Sequence, residues 1–452
     1  MNHPETSETS ETSETSETSE TSETSGTSET SETSETSGTS ERIGHIGSIG
    51  PGRPVSAAEP AAVMPRPHRI VEVDALRGFA LCGIFLANVL VMAGIEGRGG
   101  DGPSASGLDQ AAHWLVMMLV QTKFYLLFSF LFGYSTTLQM DSAERDGAPF
   151  APRMLRRLLG LFVLGALHAV LLYPGDILTT YAVLGLVLFA ARTVDPARMW
   201  RAALRVYGAV AALYLLLGAA VALVDTGGGD EGLSASTAEL TAAYRGGPAD
   251  VVRANMDAWT DILAGLLMMG GMVVAAFLAG FVAGRRRLLT GTGTPDRVAR
   301  LRRICGWGLA VGLPGGVLMA AGTVGPLGAR WEIPMFIVGM LTAPALSGAY
   351  ACGLLLWFTT PRGARLAARL APAGRMALTN YLVQSLVMAL VFTGYGAALY
   401  GRVGAAAVLG GALLFYGCQL LVSARLMERH RLGPVERLLR TVTLWGRPTP
   451  RA

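Results

Sequence analysis

The sequence predicts an all-α protein, a polytopic transmembrane bundle of about ten helices behind a disordered N-terminal tail. Three observations lead there. Hydrophobic residues make up 51% of the 452 and the mean hydropathy is +0.41, values that a polar-surfaced soluble domain of this size rarely reaches. Apolar runs of helix length recur along the chain and are closed by arginines. The bases sit in short loops between those runs, as the positive-inside rule requires of spans that alternate direction. The net charge of +4 conceals this: 11 of the 33 acids fall within residues 1–41, so 42–452 carries 37 bases against 22 acids. Bases confined to loops between spans exclude nucleic acid as the partner and make the lipid bilayer the expected one.

Residues 5–41 repeat Glu-Thr-Ser almost without interruption and hold no apolar side chain to bury, which predicts that 1–41 is a disordered acidic tail. The tail lacks the basic start and apolar core of a signal peptide and reads as an uncleaved cytoplasmic extension, or as an over-long start. Residues 42–67, rich in Gly, Pro and Ala, read as a linker, 68–440 as the transmembrane domain and 441–452 as a C-terminal tail. Hydropathy lays out ten spans at about 76–94, 114–139, 155–173, 177–192, 203–224, 262–283, 304–323, 335–358, 376–396 and 403–425. With the N-terminus inside, 31 arginines fall on the inner side and five on the outer. A bacterial cytoplasmic (inner) membrane protein with both termini cytoplasmic is the expectation. The long outer loop 225–261 is a candidate lid with a short helix near 249–259, and the arginines of 285–303 face anionic lipid or an anionic cofactor.

The segment from Arg156 to Arg192 reads as a helical hairpin turned at Tyr173-Pro174-Gly175-Asp176. Its two runs are short for a bilayer, which places the tip in a recess below the outer surface. His168 lies eleven residues after Arg157, on nearly the same face and about 16 Å along the axis. An imidazole exchanges protons near neutral pH, so His168 is the candidate base; the alternative is a hydrogen-bonded core histidine. Asp176 reads as a plain N-cap of the second helix, and a capping carboxylate can also orient the imidazole. Tyr181 is a candidate donor.

Other polar residues inside spans have two readings each. Asn380, Tyr381 and Gln384 line a cavity or join helices, and Asn88 likewise. Lys123, the single lysine, snorkels to an interface or neutralises an anionic substrate group. Arg77, three residues after Asp74, forms a local pair or meets the phosphates of a donor together with Arg157. The four cysteines suggest neither disulfides nor a metal site, and no phosphate loop or serine elbow occurs.

Val71-Glu72-Val73-Asp74-Ala75-Leu76-Arg77-Gly78-Phe79-Ala80, the run Lys123 to Gly133, the hairpin Gly165 to Tyr181, Gly374 to Ser385 and Gly433-Pro434-Val435-Glu436 resemble, in that order, the YeiB-like membrane proteins, a family named for a domain of unknown function. The first helix also resembles that of transmembrane acyltransferases, including the lysosomal glucosaminide N-acetyltransferases. In those enzymes a histidine follows the arginine, but the matching positions here are Asn88 and Gly99, so neither histidine carries over. The resemblance implies transfer of an acyl group from a cytoplasmic donor such as acyl-CoA to an extracytoplasmic acceptor, a small molecule or glycan. A secondary transporter and a non-catalytic envelope scaffold are the alternatives.

Overall fold

The computed structural model describes residues 70–95, 106–223, 230–291 and 293–444. The chain divides into a segment Met1–Arg66 and a unit Pro67–Ala452, and the described residues belong to the second. The Glu-Thr-Ser tail and the linker lie outside the described residues.

Fifteen α-helices and no strand occur among the described residues: α1 (Val71–Met92), α2 (Gly107–Leu119), α3 (Lys123–Arg145), α4 (Phe150–Leu171), α5 (Ile177–Ala190), α6 (Pro196–Leu223), α7 (Asp230–Arg245), α8 (Pro248–Asp257), α9 (Trp259–Arg285), α10 (Pro295–Thr323), α11 (Glu332–Phe358), α12 (Pro361–Arg375), α13 (Ala377–Phe392), α14 (Ala405–Arg429) and α15 (Pro434–Thr443). Seven stretches are long and apolar enough to cross a membrane, with α2 and α3 counted as one; α12 with α13, bent by 75°, makes an eighth. The two remaining expected spans are the shorter apolar helices Ile177–Thr193 and Met269–Arg285. All ten segments read from hydropathy are therefore helical. Four further helices lie outside them. The long outer loop holds two helices, α7 and α8, where one was expected; α12 precedes α13; and α15 runs past the expected boundary at 440. These helices are amphipathic or polar, so hydropathy passes over them.

Small residues set the closest helix contacts. A Cβ on Gly133 of α3 would strike the Phe277 carbonyl of α9, and one on Gly280 the Phe130 carbonyl, so the two backbones meet directly. Polar groups join other helices. Gln384 of α13 donates to Gln419 of α14 (2.8 Å), Gln419 to the Asn380 carbonyl (3.1 Å) and Asn380 to the Ser423 hydroxyl (3.0 Å). Tyr416 donates to the Gly78 carbonyl of α1 at 2.6 Å. Buried amides and hydroxyls satisfied across helices fix the register that apolar packing alone leaves loose.

The α2–α3 span is broken at residues 120–122, where Thr122 takes φ +70°. A helix end leaves carbonyls without intrahelical donors. Here the Lys123 ammonium donates to the Met117 carbonyl at 3.0 Å, and the Tyr350 hydroxyl of α11 donates to the Leu119 carbonyl at 2.8 Å. Lys123 is 0% exposed, with the Met319 sulfur 3.3 Å from its Nζ, so it does not snorkel.

Candidate functional site

The α4–α5 hairpin brings its two ionisable residues together. His168 Nδ1 lies 2.9 Å from Asp176 Oδ1, with the two side chains 0% and 1% exposed. The other carboxylate oxygen, Oδ2, accepts the Thr179 backbone N–H at 2.6 Å and caps α5. Asp176 thus caps α5 with one oxygen and sets the other close to the imidazole. Gly165, one turn before His168, makes this possible: a Cβ there would stand 2.5 Å from Thr179 N and 2.6 Å from Asp176 Oδ2. Only a residue without a side chain lets α5 start so close to α4.

The face of the imidazole packs on Tyr381 of α13, ring centroids 4.9 Å apart, and its edge meets Tyr173 at 6.4 Å. Among the described residues, His168 Nε2 is buried with no hydrogen-bond partner. Nδ1 and Asp176 Oδ1 are 2.9 Å apart, but among the described residues neither atom makes a hydrogen bond, so the two groups form a close buried pair rather than a made hydrogen bond. An imidazole beside a carboxylate, with Nε2 unengaged, is able to take up a proton at Nε2.

At the hairpin tip Tyr173 and Asp176 are buried while Gly175 is exposed. Asn255 of α8, 0% exposed, donates to the Val170 carbonyl in the last turn of α4 (3.0 Å) and accepts from the Tyr244 hydroxyl (3.0 Å). Tyr244 of α7 stacks on Tyr400 at 4.9 Å, and Arg245 donates to the Tyr400 carbonyl at 2.7 Å. The segment α7–α8 therefore covers the end of α4 and is tied to the α13–α14 connection. An open cleft of about 380 Å³ at the same end of the bundle is lined by Gly107, Gln110, Trp114 and Pro326 among others, none of them on the hairpin.

At the arginine-rich end, Arg77 donates to Asp74 at 2.6 Å and to the Ser135 hydroxyl of α3. Arg157, eleven residues before His168 on α4, lies near enough to Arg77 and Glu436 for their charges to act on it, and its Nε is buried without a partner among the described residues. Glu436, at the start of α15, accepts from the Thr379 N–H (3.0 Å) and hydroxyl (2.5 Å). That contact gives the Gly433–Glu436 stretch a physical role: it docks α15 on α13, with Leu439 against Gly160 of α4.

The remaining sequence-derived residues fall elsewhere. Tyr181 points to α3, sharing a 2.7 Å hydrogen bond with Ser129 and donating to the Tyr125 carbonyl at 3.0 Å, with Phe128, Phe132 and Phe277 around its ring. Lys123 belongs to the α2–α3 break, Asn380 and Gln384 to the α13–α14 ladder, and Asn88 is half-buried on α1. Asn255 and Tyr173 were not singled out by sequence. Asn255 lies in the outer loop, and its partner is a backbone carbonyl that no pattern reveals.

A helical bundle with this many long apolar helices and a buried acid–imidazole pair is a polytopic membrane protein with an ionisable group inside its spans. A family model described as "Protein of unknown function (DUF418)" matches residues 283–446. The chain is 31% identical over 407 residues to the uncharacterised protein YxaH of Bacillus subtilis (strain 168), covering 83% of this chain and 94% of that protein. It is 27% identical over 379 residues to an uncharacterised 39.9 kDa protein from the amylase 3' region of Bacillus acidopullulyticus (83% and 94%), and 26% identical over 407 residues to the uncharacterised protein YeiB of Escherichia coli (strain K12) (83% and 96%). The chain belongs to the YeiB-like DUF418 family. No solved structure matches it.

Proposed function

We propose that this protein is a bacterial cytoplasmic-membrane acyltransferase, with both termini cytoplasmic, in which His168 is the general base and Asp176 holds its Nδ1 side. The observation that carries this reading is the buried 2.9 Å Nδ1–Oδ1 contact with Nε2 unengaged. Arg77 and Arg157, on the same end of the bundle and with Arg157 Nε unpartnered, bind phosphates of the donor, an acyl-CoA. Tyr381 positions the imidazole through its ring, and Tyr181, Asn88, Lys123, Asn380 and Gln384 shape the surrounding interior.

In the reaction, Nε2 takes the proton from an acceptor hydroxyl or amine as the acceptor atom bonds to the thioester carbonyl carbon. The C–S bond then breaks, and the leaving thiolate takes the proton back from the imidazolium. A base of this kind contributes roughly 10²–10⁴-fold to rate. Binding of the acceptor from the outer side requires α7–α8 to move off the end of α4.

A second reading, a secondary transporter, draws support from the α2–α3 break beside buried Lys123 and from the 75° bend between α12 and α13, since interrupted spans line the substrate sites of many transporters. Comparative mass spectrometry of envelope glycans and lipids from wild-type, deletion and His168→Gln strains separates the two. The enzyme reading expects an acylated species that disappears in both mutants. If the acylation profile is identical in all three, the enzyme reading is lost.

A further inference from the structure

The arginine-rich end of the bundle carries a feature that the proposed activity does not use. Helix α12 holds four arginines and no acidic residue over Pro361–Arg375. Ala367, Leu370, Ala371 and Gly374 bury one side of it, with Gly374 against the Asp74 carbonyl of α1 and the Leu370 carbonyl against Gly78. Arg362, Arg365 and Arg369 are exposed on the other side.

Both ends of α12 lie level with the first turns of α1. Tyr350 of α11 packs on Phe79, ring centroids 6.1 Å apart. From that level α11 descends about 12 Å to Phe358, and α1 descends about 12 Å to Val71. The far end of α12 meets Asp74. The helix therefore crosses the end of the bundle and turns by 75° into α13. Trp357, 48% exposed, stands just before it, where an indole marks the level of lipid headgroups.

Neighbouring elements add to the positive charge. Arg375 donates to the Arg431 carbonyl at 3.1 Å, tying α12 to the end of α14, where Arg425, Arg429 and Arg431 are exposed; Arg437 and Arg440 of α15 are exposed as well. The acids here are Glu428, which is exposed, Glu436, which is taken up by Thr379, and on α1 the half-buried Glu72 and the buried Asp74, which is paired with Arg77.

We infer that the exposed face of α12 is a binding surface for anionic phospholipid headgroups, its arginines pairing with their phosphates at the level set by Trp357. Guanidinium groups match phosphate geometry with two parallel hydrogen bonds, and basic residues at a bilayer surface each add attraction to anionic lipid. The packed side of α12 is fixed to α1, so its arginines are presented at a set depth rather than on a loose tail.

The test uses the full chain in nanodiscs of phosphatidylcholine with a minority of phosphatidylglycerol, followed by release into mild detergent and quantification of the retained lipid by mass spectrometry. Wild-type protein is expected to retain phosphatidylglycerol above its bulk fraction. The variant Arg362→Gln/Arg365→Gln/Arg369→Gln, altered only at exposed positions, should lose about tenfold in apparent affinity. A matched triple variant on α6, Arg198→Gln/Arg201→Gln/Arg205→Gln, likewise at exposed positions, should keep the enrichment. No enrichment in wild type, or equal enrichment in the α12 variant, overturns the inference. So does equal loss in both variants, which would mean charge without a defined face. Displacement by inorganic phosphate at constant ionic strength assigns the arginines to a free anion and overturns the lipid assignment.

Discussion

Replacing Gly165 by alanine tests whether the approach of α5 to α4 sets the histidine–aspartate pair. The added methyl would stand 2.5 Å from Thr179 N and 2.6 Å from Asp176 Oδ2, and ordinary contact needs about 3.5 Å or more. One of the clashing atoms is backbone, so the first turn of α5 must retreat by roughly 1 Å. That retreat lengthens the 2.9 Å Nδ1–Oδ1 separation to roughly 4 Å and parts the close pair. Overpacking of this size costs about 1–3 kcal/mol, and the helix-propensity gain of alanine over glycine returns about 1. The net expectation is a loss of about 0–2 kcal/mol, with the protein still folded and the pair broken. Thermal unfolding in detergent reads the first, and the ¹⁵N shifts of selectively labelled His168 the second. If Gly165→Ala keeps wild-type stability and an unaltered His168 signal, close packing at this glycine does not build the site.

Three further outcomes follow from the same geometry. Asp176→Asn keeps a capping oxygen for Thr179 but removes the charge facing His168, so unfolding should move by less than about 1 kcal/mol while acyl transfer falls roughly a hundredfold or more; equal loss of fold and activity would make Asp176 a cap alone. Lys123→Met leaves the Met117 carbonyl buried without a donor and should cost about 1–3 kcal/mol, an expectation that unchanged chemical denaturation would refute. Asn255→Ala frees the Val170 carbonyl and loosens the cover over α4; faster modification of His168 by diethyl pyrocarbonate is expected, and an unchanged rate would show that α8 does not control access.

Much of this was legible in the sequence, for physical reasons that differ from element to element. The hairpin α4–α5 could be read because two apolar runs end in arginines and meet at Pro-Gly-Asp. The pairing of His168 with Asp176 follows from that turn, which brings the end of one helix beside the start of the next. The partners of Asn380 and Gln384 could not be read, because they depend on the register of α14, to which hydropathy is blind. Lys123 misled in the same way: the apolar pattern runs through residues 120–122 without pause, so nothing in it reveals a helix end whose carbonyls need an ammonium. Tyr181 sits on the side of α5 that faces α3, away from His168, and a spacing of five from Asp176 did not settle that. The amphipathic α12 and α15 are too short and polar to read as spans by themselves, although they carry contacts at the arginine-rich end.

The most direct test of the central claim is acyl transfer by purified protein in proteoliposomes. Labelled acetyl-CoA is supplied on the side of the arginine-rich end and release of labelled acetate is followed in the absence of acceptor. The account predicts slow turnover by wild type and a drop of roughly 10²-fold or more in His168→Gln, with acetyl-CoA binding retained by that variant and lost in Arg157→Gln. Turnover in His168→Gln equal to wild type, with both proteins folded, would contradict the assignment of His168 as the base.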